Sequence, residues 1–380
     1  MKIRYSTTIP ALSIALVLNA AFSAAQVPTA FNQPRFGRGG PLPPGVEAAA
    51  QELKVLSVPL WSSSFTTDGI RYPYVMSGLD PTPGAPPFGG TSPQITVRLL
   101  PLSLRFLGYT DANGNHPVLR VDPYVGLIAN SPNFVATDLP NGHLQFQDAV
   151  QRAEFYGIAR PTWHTNLTLN VDRTRVLDVP AGQGYLFDFG TNLLALVDAD
   201  FWLAQLPDII QAAHVNETQF PLIVTGGTAA IYYNHDPTGA SGYELGSHRR
   251  YVSRFDGTNY FIQTWGWASW IAPEAIDAGH ADVYGISHEI GEWINDPFDI
   301  NPTPPWQRPP PDMLCQDNLE TADPVQNFDG YEITLNGYTY HLANQALLPW
   351  FAREPASFTW HNAYSFPNTS LLTSPRPCPF

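Results

Sequence analysis

Between Ser287 and Pro297 the chain reads Ser-His-Glu-Ile-Gly-Glu-Trp-Ile-Asn-Asp-Pro. Residues four apart on a helix share a face. His288 and Glu292 therefore offer an imidazole nitrogen and a carboxylate oxygen to one point, with Glu289 between them. Such a pair can hold a divalent cation that keeps a water and lowers its pKa. Glu289 is placed to take that water's proton as general base. A third donor has to come from elsewhere. Candidates are Asp296 one turn on, Glu320 in Leu319-Glu320-Thr321-Ala322-Asp323-Pro324, and His280 upstream. A nitrogen-and-oxygen set suits Zn2+, and also manganese or iron. The chemistry expected of it is hydrolysis of an amide bond.

A helix has to carry these groups, and its apolar stripe can be read directly. Val283, Ile286, Ile290, Trp293 and Ile294 fall on one side, while His288, Glu292, Asn295 and Asp296 fall on the other. Asp277 or Asp282 is expected to cap the start, and Pro297 to stop the helix, because the residue before a proline is driven out of helical geometry. The plain alternative is that the polar side is only a solvated face. Against that, it holds no lysine or arginine and gathers metal-competent groups within two turns.

The remaining chain frames this helix. Of 380 residues only 14 % are charged, while 38 are proline, 29 glycine and 13 % aromatic. That balance fits an extracellular fold with many turns and argues against disorder. Lys2 and Arg4, the apolar run Ile9–Phe22 and Ser23-Ala24-Ala25 form a secretory signal expected to be cut after Ala25. No later segment is long and apolar enough to span a membrane, and no cysteine is placed for a lipid anchor, so a secreted or periplasmic protein is expected. The formal charge is −14, a surface that repels phosphate backbones and anionic membranes. Partners are therefore expected among extracellular proteins, peptides or glycans. Cys315 and Cys378 are the only cysteines and are expected to pair.

Residues 26–50 read as a flexible lead-in, 51–215 as an N-terminal α+β region and 216–380 as the region carrying the motif and a disulfide-held tail. Short β-branched and aromatic runs at 55–61, 95–100, 165–169, 184–189, 220–225 and 259–265 read as strands. Helices are expected at 148–156 and about 198–213, the second broken or kinked at Pro207. Asn113-Gly114 and Asn336-Gly337 mark hairpin turns. Residues 301–311, rich in proline, read as a stiff polyproline-like excursion that walls a cleft or merely connects. His235 and His248 read as turn or surface residues, and His341 and His361 as lesser substrate contacts. Strands and helices mix without regular alternation, so the class is α+β, a mixed β-sheet packed with a few helices.

The run Ser287-His288-Glu289-Ile290-Gly291-Glu292 with Asp296-Pro297 resembles the Ser-His-Glu-Leu-Ala-Glu…Asp-Pro signature of certain exported proteins. Beyond these it resembles the His-Glu-x-x-His pattern of zincin metallopeptidases, with Glu292 in place of the second histidine. A looser likeness links it to the plant exordium or phosphate-induced proteins. The resemblance covers about residues 280–325 and implies a zincin-like fold with a helix-borne site. Two functions follow as expectations. One is a secreted metal-dependent hydrolase of zincin type. The other is a non-catalytic extracellular module that binds glycan or protein on a degenerate version of the same fold.

Overall fold

Apolar residues alternating with period two build the central sheet, because successive strand side chains point to opposite faces. Phe220, Leu222 and Val224 join one apolar cluster, and Ile223 joins another across the sheet. The computed structural model describes residues 36–37, 42, 44–84, 94–188, 193–232, 243–273, 275, 278–308, 310 and 313–378. The expected signal segment, most of the lead-in, His235 and Asp277 lie outside the described residues.

Among the described residues the sheet has nine strands: β1 (Phe36–Gly37), β2 (Val55–Leu56), β3 (Gln94–Phe106), β4 (Val118–Leu119), β5 (Asn166–Val171), β6 (Arg175–Val179), β7 (Gln219–Gly226), β8 (Gly246–Phe255) and β9 (Tyr260–Trp270). Its main path runs β1-β8-β9-β7-β3-β6, with β2 added to β9 and both β4 and β5 to β3. β7 is parallel to β3 and β9, whereas β8 is antiparallel to β9. The sheet is mixed and the class is α+β. It draws strands from both sides of residue 215, so the two expected regions share one sheet.

Six helices accompany these strands among the described residues: α1 (Pro44–Gln51), α2 (Asp122–Ala129), α3 (Phe146–Glu154), α4 (Ala199–Ala212), α5 (Tyr284–Asn295) and α6 (Leu348–Phe351). α3 and α5 pack on the face that carries Leu222, Val224, Ala268 and Trp270. α4 covers the other face, where Trp202, Leu206 and Ile210 meet Ile223, Trp265 and Trp267. Asp198 caps α4 by accepting the Phe201 amide at 2.9 Å, and the helix runs on through Pro207 instead of breaking there.

Three readings of the sequence need correction. The lead-in ends in a helix, α1, whose Val46 and Ala50 lie four apart and are buried against Val75 and Ile262. The proline-rich stretch includes a strand, Pro302–Gln307, that pairs with Cys315–Asn318. Its prolines are tolerated because the pairing shifts register between Pro302 and Trp306, while buried Trp306 donates its indole N–H to the Asn318 carbonyl at 2.9 Å. His248 lies in β8 with no solvent exposure, not in a surface turn. The Cys315–Cys378 disulfide ties the tail to this strand pair. Asn336 and Gly337, both with positive φ, turn the hairpin Tyr331–Leu342. No helix among the described residues is long and apolar enough to cross a membrane.

Candidate metal centre

α5 is held from its apolar side. Val283, Ile286, Ile290, Trp293 and Ile294 enter the core, Trp293 stacks on Phe220 at 3.7 Å, and its indole donates to Thr264 Oγ1 at 3.0 Å. The polar side faces inward as well: His288 and Glu289 are 0 % exposed and Glu292 is 2 % exposed. The solvated-face explanation therefore fails. One glycine makes the close approach to β8 possible, since a Cβ on Gly246 would stand 2.7 Å from Glu289 Oε1. Asp282 does not cap the helix; it binds His341, whose Nδ1 lies 2.6 Å from Asp282 Oδ2.

Two groups of three potential ligands meet around Glu292. In the first, His288 Nε2 stands 3.0 Å from Glu292 Oε1 and 3.7 Å from Asp323 Oδ1. Glu292 Oε1 also accepts the Ala322 and Asp323 amides at 3.3 and 3.2 Å. Asp323 Oδ2 is held by the Arg308 guanidinium and by Gln316 Nε2. In the second, His248 Nδ1 stands 3.4 Å from Glu289 Oε2 and 3.8 Å from Glu292 Oε2. Beyond that histidine, Glu320 Oε2 lies 4.0 Å from its Nε2, and Glu320 Oε1 accepts from Asn318 Nδ2 at 2.6 Å.

The fold thus brings His288, Glu289, Glu292 and Glu320 together. It does not bring Asp296, whose oxygens accept the Ile300 and Asn301 amides at 2.9 and 3.0 Å. Nor does it bring His280, whose Nε2 lies 3.1 Å from the Gln326 carbonyl. Sequence reasoning missed Asp323 and His248. Asp323 had a signal, since it follows Glu320 by three residues in an acidic run close to the motif. His248 had almost none, because its place depends on the pairing of β8 with β9, where it lies opposite Gly266.

Burial sets the protonation states. Loss of solvation pushes His248 and His288 down to about 3, so both rings are neutral and able to ligate. The same loss raises Glu292 to about 7 and holds Glu289 and Glu320 well above the usual carboxylate range. Asp323 is also raised by burial, with Arg308 opposing the rise. Arg249 opposes the rise at Glu289, and Arg308 that at Glu292 and Asp323, yet burial outweighs both guanidinium groups. Both oxygens of Glu289 lack a hydrogen-bond partner among the described residues. Neutral imidazoles beside an unengaged carboxylate are the donor set a divalent cation requires, and these residues fit one.

No protein-family model matches the chain, and no curated protein or solved structure is significantly similar to it.

Proposed function

We propose that this is an exported metal-dependent hydrolase, a peptidase of zincin type, with Zn2+ held by His288, Glu292 and Asp323. The observation that carries the reading is the buried polar face of α5, where neither oxygen of Glu289, beside Glu292, has a hydrogen-bond partner among the described residues. Burying unpaired carboxylates is costly, and a module whose site had decayed gains nothing from retaining them. A bound cation supplies a Lewis acid and a water of lowered pKa. Glu289, buried beside Glu292, would be the residue to take a proton from that water. Arg308 fixes the Asp323 carboxylate, and the Ala322 and Asp323 amides orient Glu292.

An extended peptide suits the approach. β8 carries His248, and among the described residues its outer edge is paired only at Gly246 and Ser247, by β1. Among the described residues no further strand pairs with the backbone beyond, an edge suited to strand addition. The disulfide fits an oxidising compartment and supports the expected export.

Metal analysis of purified mature protein tests the reading. Wild type should carry tightly held zinc or take it up from solution, and His288→Ala should bind at least one equivalent less. Absence of metal from wild type after reconstitution rejects the hydrolase.

A further inference from the structure

We propose that His248, Glu289 and Glu292 form a second divalent-cation site, joined to the first through Glu292 as a shared carboxylate. The inference rests on the hydrolase reading and deepens it, because it says how the same centre is regulated.

Distances come first. Two donors bound at about 2.1 Å to one tetrahedral ion stand roughly 3.4 Å apart. His248 Nδ1 lies 3.4 Å from Glu289 Oε2 and 3.8 Å from Glu292 Oε2. The first spacing is that of two ligands on one ion, and the second is a little wider. Both are long for a strong charged hydrogen bond, which closes to about 2.7–2.9 Å. The two histidines also face different oxygens of Glu292: Oε1 faces His288, and Oε2 faces His248. A carboxylate presenting one oxygen to each imidazole is arranged to bridge two ions.

Glu289 adds an observation independent of the acidic cluster. It is 0 % exposed, and neither of its oxygens has a hydrogen-bond partner among the described residues. It is aimed at His248, a ring that is also 0 % exposed. Gly246 is the residue that leaves room for it, with a Cβ there coming within 2.7 Å of Glu289 Oε1. Glu320 Oε2 lies 4.0 Å from the other nitrogen of that ring, Nε2.

The shared use of Glu289 gives the second site its consequence. With only the first position filled, Glu289 is free to accept a proton. With the second filled, Glu289 is a ligand and no longer a base. Cation in excess therefore suppresses hydrolysis, and the centre senses the divalent-ion level around an exported protein.

The test uses the full mature chain and Mn2+ alone as probe. Wild type, His248→Gln and Glu289→Gln are dialysed to equilibrium with Mn2+, and bound metal and the paramagnetic resonance spectrum are recorded. Circular dichroism and melting confirm the fold of each variant. Wild type should bind two equivalents with a spin-coupled spectrum, and both variants should bind one, with the spectrum of an isolated ion. One uncoupled equivalent in wild type, or two retained in both variants, overturns the second site and leaves the hydrolase reading standing. No bound metal in wild type overturns both.

Discussion

Glu289 on α5 and Asp296 at its C-terminal cap are both 0 % exposed, and burial drives both carboxyl pKa values well up. Their surroundings differ. Asp296 accepts two backbone amides, and Asn301, one of those two residues, donates its side-chain amide to the Val75 and Asn295 carbonyls at 2.7 Å each. Beside it, Arg250 Nη1 closes on Asp299 Oδ2 at 3.0 Å. These groups find their partners within the chain. Around Glu289 the chain supplies the His248 ring and the Glu292 carboxylate, and among the described residues neither Glu289 oxygen has a hydrogen-bond partner. Burial and a raised pKa are common to both regions, so neither separates a structural acid from a functional one. Accounting for hydrogen-bond partners does.

The largest expected effect comes from breaking the satisfied region. Asp296→Ala strands one buried and one part-buried amide and should cost about 3 kcal/mol of stability, read by chemical denaturation, since each unsatisfied group costs about 1–3 kcal/mol. Metal uptake per folded molecule should be unchanged. A fully stable variant that had lost its metal would reverse the assignment and make Asp296 a ligand. Next is Glu292→Gln, which removes the carboxylate common to both triads. Cation affinity should fall by more than the roughly 10–100-fold typical of losing an outer-shell partner. The metal-free variant should be more stable than metal-free wild type near pH 8, because an unwelcome buried charge has gone. Third, wild type in Zn2+ at 100 times its Kd should gain about 2.7 kcal/mol. At that free concentration the gain should be smaller near pH 5, where the raised carboxyls hold their protons against the ion. An equal gain at both pH values would place the ion elsewhere.

The same contrast explains what could be read from residue order. His288, Glu289 and Glu292 were legible because helical spacing is local, and Val283, Ile286, Ile290 and Trp293 announce which side is core. The turn at Asn336-Gly337 was legible for the same reason, as only a few residues decide it. His248 was not, since it lies far from α5 in the chain and reaches the site only through the register of two strands. Asp296 was misleading for the opposite reason. Its position one turn beyond Glu292 suits a ligand, but the loop Ile300–Asn301 folds back to claim both oxygens. The strand Pro302–Gln307 was hidden because prolines lack the amide that a ladder needs, and only its register shift makes room for them.

The smallest effect sharpens the comparison from outside the centre. Glu154 on α3 is 2 % exposed, accepts the Leu348 amide at 2.6 Å and Gln151 Nε2 at 3.0 Å, and is pushed up to about 8, chiefly by burial. The folded chain thus keeps a proton that the unfolded chain releases near 4.5. Its stabilising contribution is complete below that value and declines as pH rises toward 8, since stability falls wherever the native state binds the extra proton. Replacing Glu154 with glutamine preserves an acceptor for Leu348 and removes the titration. Denaturation of Glu154→Gln should therefore show a flatter dependence across about pH 5 to 8, by at most about 1.4 kcal/mol per pH unit. Saturating Zn2+ should leave this difference intact while reshaping the contribution of Glu289 and Glu292, because Glu154 is satisfied by Leu348 and Gln151 and belongs to neither ligand group.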